Sequence, residues 1–178
     1  LNGDGTLRGG NCMPTYNNEI VRNYAFALTG WTYPAGGRTS WGCWPQGTNC
    51  TYYNGDMVGV AAYHDGNARP LLSGPSKPAN STPAQALELV LDSLMNHSNT
   101  APFVSKQMIQ FLVSSNPSPA YVGRVSQAFT SGRYSSGGVN FGAGQKGDLE
   151  ATVAAVLLDA EARGDNSSSA NAGRLREP

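Results

Sequence analysis

The chain has 178 residues, which is enough for one domain with a buried core. Twelve Lys and Arg residues balance twelve Asp and Glu residues, so the net charge is zero and the composition disfavours a nucleic acid partner. No apolar run approaches the roughly 18 residues of a membrane span. We therefore expect a single domain over 1–178. We also expect it to be a fragment, because the chain starts in a turn and stops in what looks like the entrance to another element.

The first stretch combines a loop and a helix. Residues 1–15 are rich in Gly and Asn and are predicted to form a loop. A helix is predicted over 16–32, because apolar side chains recur at helical spacing after Asn17, whose side chain can cap the first turn. Gly30 is placed to take the left-handed conformation that ends a helix, and Trp31 can then fold back onto the last turn.

Residues 33–80 show no helical period and are interpreted as one long aromatic-rich loop, in which residues 57–60 can form a strand of a small β-hairpin. A loop of this length is usually functional or held by a disulfide. Its aromatic side chains either stack on sugar rings or fill a small satellite core beneath the loop. The candidate ligand-binding residues are Trp41, Trp44, Tyr52 and Tyr53.

The three cysteines predict a disulfide rather than a metal site. Cys43 and Cys50 flank a six-residue polar segment that a disulfide would staple. Cys12 would then be free, or would pair with one of them instead. A zinc site is disfavoured, since no Cys-x-x-Cys spacing occurs. Asn2 and Asp4 resemble half of a calcium loop whose other ligands are missing at the required spacing, so no metal ligand is predicted.

Within the long loop, the adjacent residues His64 and Asp65 are the strongest candidates for a catalytic or metal-binding site. Adjacent His and Asp can orient one another, or supply a general base or two metal ligands. They can equally form a buried, hydrogen-bonded pair that anchors the loop. Two scattered carboxylates could also converge for glycoside chemistry. These carboxylates are Asp56, Asp65, Asp92 and Asp159.

Signatures of other catalytic classes are missing from the sequence. There is no Gly-x-Ser-x-Gly elbow, no P-loop and no Gly-x-Gly-x-x-Gly after a strand. No lysine has a serine three positions before it. We therefore predict no cofactor.

Four further helices are predicted over 81–163. Thr82 and Ser118, each followed by a proline that suits the first helical position, are predicted caps, and Asp148 caps the last helix. His97 closes the second helix. The apolar side chains expected to face inward are Leu87, Val90, Leu91, Leu94, Phe103, Val104, Met108, Phe111, Leu112, Tyr121, Val122, Val125, Ala128, Phe129, Val153, Val156, Leu157 and Leu158.

The remaining segments are predicted to be irregular. Residues 133–146 form a Gly/Ser loop, and residues 164–178 form a mobile polar tail. The predicted fold class is all-α. About five amphipathic helices pack as an orthogonal or antiparallel bundle, with one long aromatic-rich loop that can carry a small β-hairpin.

Six segments together resemble a known family. They are Leu1–Thr6, Ala27–Thr32, His64–Asp65, His97–Val104 with Lys106, Leu157–Arg163 and Gly173–Pro178. Their order and spacing are similar, across nearly the whole chain, to the large bacterial family called domain of unknown function 1800. The domain of that family is longer than this chain, which agrees with a fragment.

The resemblance implies a mostly helical bacterial protein that is exported across the inner membrane, and hence is periplasmic or secreted. Members of the family are often encoded beside a second exported family that resembles sulfatases. An exported sulfatase-like protein or a surface glycan is therefore the expected partner. The family supplies no established catalytic residues, so His64, Asp65, His97 and Lys106 are candidates because they match its recurrent motifs.

Three functions are weighed on this basis. The first is a non-catalytic binding or assembly module at the cell envelope that uses the aromatic loop. The alternative is a polysaccharide-directed hydrolase that uses His64 and Asp65 or a pair of carboxylates. The third is a structural fragment whose exposed helix faces belong to missing parts of the chain.

Overall fold

A computed structural model of the chain describes residues 1–34 and 53–164. Within these ranges the chain forms five α-helices and two small antiparallel sheets, which confirms a helix-rich fold with small hairpins. The orthogonal or antiparallel arrangement of the helices stays a prediction. The helices are α1 (Asn18–Ala27), α2 (Pro83–Asn96), α3 (Thr100–Leu112), α4 (Pro119–Ser131) and α5 (Leu149–Leu158). The strands are β1 (Trp31–Thr32), β2 (Val58–Gly59), β3 (Tyr134–Ser136) and β4 (Val139–Phe141).

The chain divides into two compact units. The first unit is Pro14–His97 and contains α1, α2 and the β1–β2 pair. The second unit combines Leu1–Met13 with Ser98–Pro178 and contains α3, α4, α5 and the β3–β4 hairpin. The single domain expected over 1–178 stays a prediction. None of the helices in the described ranges has the length and hydropathy of a membrane span.

The caps predicted from the sequence are present at four helix starts. In each, a side-chain oxygen accepts the amide hydrogen three residues further on, which satisfies one of the donors that the first helical turn leaves free. The four caps are Asn17, Thr82, Ser118 and Asp148. Gly132 ends α4 in the left-handed conformation, and His97 caps the end of α2.

The first helix is shorter than predicted. α1 ends at Ala27, whereas the helical pattern extends over 16–32. Gly30 turns the chain with φ 88°, and the next two residues form β1. β1 pairs antiparallel with β2, so the strand predicted within 57–60 exists. Its partner, however, directly follows α1 and does not lie inside the long loop.

A second hairpin lies where a Gly/Ser loop was predicted over 133–146. Strands β3 and β4 pair antiparallel, and the rings of Tyr134 and Phe141 lie 6.5 Å apart between centroids. Gly137 and Gly138 form the two-residue turn, at positions that favour glycine because both φ values are positive. Each strand has three residues, which is too short for an alternating pattern to be visible in the sequence.

Several helices bury a different face from the predicted one. On α3 the small residues Ala101 and Ser105 are buried with Ile109, whereas Phe103 and Phe111 are 57% and 67% exposed. Small side chains let neighbouring helices approach closely, so they occupy the contact in place of the bulky residues of the apolar pattern. Further residues predicted to face inward but found exposed are Leu91, Leu94, Leu112 and Leu157.

The core of the second unit lies where α4 packs against α3 and α5. Tyr121 on α4 is fully buried, and its hydroxyl donates to the carbonyl oxygen of Val156 on α5. This hydrogen bond satisfies the one polar atom of an otherwise apolar side chain. The core cluster consists of Ile109, Tyr121, Val122, Val125, Ala128, Ala155 and Val156.

Candidate functional site

The predicted pair His64 and Asp65 lies in the first unit, against the turn that follows α1. The Nδ1 atom of His64 is 2.9 Å from the carbonyl oxygen of Thr29, and the backbone amide of Asp65 donates to Thr29 Oγ1 at 2.8 Å. Because a carbonyl oxygen only accepts, Nδ1 carries the ring proton in this hydrogen bond. Thr29 therefore anchors both residues.

Gly30 makes this close approach possible. A Cβ atom at residue 30 would lie 3.0 Å from His64 Cβ and 3.0 Å from the carbonyl oxygen of Val60, and φ is 88°. The carbonyl oxygen of Gly30 also accepts from the Val60 amide at 2.7 Å. The glycine in the Leu-Thr-Gly-Trp-Thr segment thus ends the helix and admits the His64 backbone.

The carboxylate of Asp65 is held by an arginine and an asparagine. Arg69 donates from Nε to Oδ2 at 2.7 Å and from Nη2 to Oδ1 at 2.8 Å, and Asn67 donates to Oδ1 at 2.9 Å. The Asp65 side chain is only 10% exposed. The hydrogen bonds from Arg69 hold the pKa of the Asp65 carboxyl well below its usual 3.8, so it is an anion at neutral pH.

A buried lysine completes what we call the anchoring cluster, which consists of Asp65, Asn67, Arg69 and Lys77. Lys77 is fully buried, and its Nζ donates to the carbonyl oxygens of Asp65 at 2.7 Å and of Asn67 at 2.8 Å. Burial lowers the pKa of Lys77, and the charge of Asp65, 4.0 Å away, opposes that effect. The backbones of Arg69 and Lys77 also exchange two hydrogen bonds of 2.9 Å.

The anchoring cluster is tied to α1 through an aromatic contact. The Arg69 guanidinium lies 4.1 Å from the centroid of the Phe26 ring. A cation over a ring face adds electrostatic attraction to the packing. Together with Thr29, this contact fixes the segment 61–77 on the C-terminal end of α1.

This geometry favours anchoring over proton transfer. A general base needs a pKa near the working pH and a lone pair within reach of its substrate. Asp65 accepts three hydrogen bonds and its pKa is lowered, so it is poorly suited to take a proton. The Nε2 atom of His64 is buried and has no hydrogen-bond partner among the described residues. The catalytic assignment of both residues stays a prediction.

The described part of the chain holds no group of three His, Cys, Asp or Glu residues that could bind a metal ion. Cys12 is exposed and forms no disulfide with another described residue. The disulfide predicted between Cys43 and Cys50 cannot be placed, because both residues lie outside the described ranges.

An exposed pair of tyrosines flanks the stretch between the two described ranges. Tyr53 is 69% exposed and meets Tyr33 edge to face, with ring centroids 5.1 Å apart and planes at 85°. Pro34 and Gly55 also lie close, since a Cβ at Gly55 would be 3.6 Å from Pro34 Cγ. The other predicted ligand-binding residues lie outside the described ranges: Trp41, Trp44 and Tyr52.

The acidic segment near the end of the second unit has a comparable anchoring role. Arg124 on α4 binds both carboxylate oxygens of the buried Asp159, at 2.7 and 2.8 Å. Burial would raise the pKa of Asp159, but the hydrogen bonds from Arg124 and the Glu161 amide, together with the charges of Arg124 and Arg163, outweigh it and the pKa is lowered. Glu161 accepts from the amide of Ser118 at 2.8 Å and from its hydroxyl at 2.5 Å. A carboxylate is favourable at this helix start because the helix dipole is positive there.

The basic partners of these acids were not predicted from the sequence. Arg69 and Lys77 lie in a segment without a regular period, so no spacing rule places them beside Asp65. The two remaining motif candidates lie apart from the anchoring cluster in the chain. His97 caps α2, and Lys106 is exposed on α3 in the second unit.

These observations define a helix-rich protein with small antiparallel hairpins. Two aspartates of the motif segments, Asp65 and Asp159, form ion pairs with Arg69 and Arg124 and thereby hold the ends of helices in place. The chain belongs to the family described as Protein of unknown function (DUF1800), whose sequence profile matches residues 4–178. The resemblance found in the sequence is thereby confirmed. No curated protein and no solved structure matches the chain.

Proposed function

We propose that this protein is a non-catalytic binding module of the cell envelope, which holds a surface glycan through the aromatic side chains of segment 33–80. The observation that carries the proposal is the exposed Tyr33–Tyr53 pair. Tyrosine supplies a large, rigid contact surface at low entropic cost, and an exposed pair of this kind is typical of binding surfaces.

The surroundings of the pair suit a hydroxyl-rich ligand. Asn54 and Asp56 are exposed and lie one and three residues after Tyr53 in the chain. Their amide and carboxylate groups offer donors and acceptors for hydroxyl groups, while the ring of Tyr53 offers an apolar face. The predicted ligand-binding residues Trp41, Trp44 and Tyr52 belong to the same proposal.

Titration with oligosaccharides tests the proposal. Tyr53→Ala should weaken glycan binding about tenfold, because a buried aromatic contact contributes 1–2 kcal/mol or more at an interface. Tyr16→Ala is the matched control, since Tyr16 is a similarly exposed tyrosine of the same unit that the proposal does not use. Equal binding by wild type and Tyr53→Ala would contradict the proposal. If Tyr53→Ala lost a partner protein and no glycan, the ligand would be a protein instead.

The envelope location belongs to the same proposal. It is supported by the family membership, because members of the family are expected to be exported and are often encoded beside a second exported family that resembles sulfatases. Fractionation of cells that express the full-length gene tests it. Recovery of the protein from the cytoplasm alone would contradict it.

A polysaccharide hydrolase is the second candidate. The free lone pair on Nε2 of His64 favours it, whereas the burial of that atom and the three hydrogen bonds on the Asp65 carboxylate argue against it. Release of reducing sugar by the wild-type protein, abolished in a folded His64→Ala variant, would establish the hydrolase. Absence of turnover on the glycans that bind would leave the binding module as the function.

A further inference from the structure

The second unit has a surface cleft of about 310 Å³ beside α4 and the start of β3. Its polar lining comes from Arg124, Gln127 and Ser131 on α4 and from Arg133 and Tyr134 after it. The volume is at the lower end of the range for small-molecule sites. None of the sequence motifs discussed above includes Arg133.

The two arginines of the cleft differ in how their charge is compensated. Arg124 is paired with Asp159 and lies 3.9 Å from Glu161. The guanidinium of Arg133 makes no hydrogen bond or ion pair with any residue in the described ranges, and only its backbone is bonded, to Ser131. Arg133 therefore brings to the lining of the cleft a positive charge that none of the described residues compensates.

Gly144 leaves room for the guanidinium of Arg133. A Cβ atom on Gly144 would lie 2.7 Å from both Nε and Nη2 of Arg133, so a larger residue at position 144 would have to displace the guanidinium. The loop after β4 thus lies directly against the guanidinium.

We propose that the cleft binds the carboxylate of a small organic acid, with Arg133 as the charged anchor. A guanidinium matches a carboxylate in geometry, because both are planar and form paired hydrogen bonds. One uncompensated charge also matches a monoanion. A phosphate dianion would bring a second negative charge toward Asp159 and Glu161. Because the single charge of Arg124 neutralises these two acids only in part, that second charge would be repelled.

The rest of the lining suits the body of such an acid. The Gln127 amide and the Tyr134 hydroxyl supply neutral donors, and the buried Ala128 with the Tyr134 ring supplies apolar surface. The volume exceeds that of a carboxylate group alone, so the acid carries additional atoms. This assignment concerns the second unit and does not depend on the proposed function of the aromatic pair.

Nuclear magnetic resonance titration of the whole chain tests the assignment. Acetate and glucuronate should shift the Nε–Hε signal of Arg133, and glucose should leave it unchanged. Arg133→Ala should weaken glucuronate binding at least tenfold, in line with the loss of a hydrogen-bonded charge. Lys146→Ala is the matched control, because it removes one exposed positive charge from the nearby loop without touching the cleft lining, and it should change affinity less than twofold.

Two glycine variants test whether the position of the Arg133 guanidinium matters when its charge is kept. Gly144→Ala should displace the guanidinium and weaken binding severalfold. Gly138→Ala has a similar positive φ but nothing within 4 Å of the added methyl, so it should bind like wild type. The assignment is overturned if Arg133→Ala binds like wild type or if Lys146→Ala loses as much affinity. If inorganic phosphate bound more tightly than acetate and glucuronate, the assignment of a carboxylate as the ligand group would likewise be overturned.

Discussion

Arg69 donates hydrogen bonds to both carboxylate oxygens of Asp65, at 2.7 and 2.8 Å, and its guanidinium lies 4.1 Å from the centroid of the Phe26 ring. One side chain thus joins an acid of the long aromatic segment to the first helix. The buried Lys77 supports the same acid through its carbonyl oxygen. The stability of the first unit should accordingly be sensitive to the charge of Asp65.

Asp65→Asn should lower the free energy of unfolding of the first unit by about 2 kcal/mol, because it weakens charge-assisted hydrogen bonds at a nearly buried site. Urea denaturation followed by tryptophan fluorescence measures this, since all three tryptophans lie within residues 14–97. Asp56→Asn is the control: Asp56 is exposed, and the change should be within about 0.5 kcal/mol. Equal losses from the two substitutions would refute the anchoring role.

The pH dependence of stability should carry the signature of Asp65. The pKa of Asp65 in the folded protein is below the usual 3.8 of the unfolded chain. Its contribution to stability is therefore fully present above about 3.8 and is lost as the pH falls from there through the lower pKa of the folded state. The free energy of unfolding of the first unit should therefore fall between about pH 5 and pH 2. Asp65→Asn should show a shallower fall over the same range. Parallel curves for wild type and variant would contradict this assignment.

Gly30→Ala should destabilise the first unit more than an equivalent strained glycine. Both Gly30 and Gly74 have positive φ, so alanine at either costs about 1–2 kcal/mol in backbone strain. Only at Gly30 does the added methyl also press on His64 and Val60, whereas nothing lies within 4 Å at Gly74. Denaturation midpoints of the two variants compare the effects. A Gly74→Ala loss as large as that of Gly30→Ala would show that the close contact is unimportant.

Tyr121→Phe should destabilise the second unit by about 1–2 kcal/mol, because the buried carbonyl oxygen of Val156 loses its donor. Burial also raises the pKa of the Tyr121 hydroxyl, which therefore stays protonated in moderately alkaline solution. Hydrogen exchange of amides in α4 and α5 measures the loss within this unit. Tyr16→Phe, at an exposed site of the first unit, should leave that exchange unchanged. Unaltered exchange in Tyr121→Phe would contradict the prediction.

Helix starts could be predicted from the sequence because capping is local. Asn17, Thr82, Ser118 and Asp148 each act on an amide three residues away, so the signal and its partner stand in the same short stretch. Buried faces could not be predicted in the same way. The choice between Ser105 and Phe103 on α3 depends on how closely a neighbouring helix approaches, which no single stretch records.

Of the anchoring cluster, the sequence indicates only Asp65, for the same reason. The pair His64–Asp65 is visible because its members are adjacent, and the hypothesis of a hydrogen-bonded anchor was one of those weighed. The partners Thr29 and Lys77 lie 36 and 12 residues from Asp65 along the chain. Only the turn at Gly30 and the backbone bridge to Arg69 bring them together.

The bond between Ser118 and Glu161 sets a lower limit on the length of any shortened form. A piece that stopped at Leu158 would still contain the five helices of the described ranges. It would nevertheless lack the acceptor that closes the start of α4 and the aspartate that neutralises Arg124. Recombinant boundaries chosen by counting helices would therefore fall too early, and any shortened form has to retain residue 161.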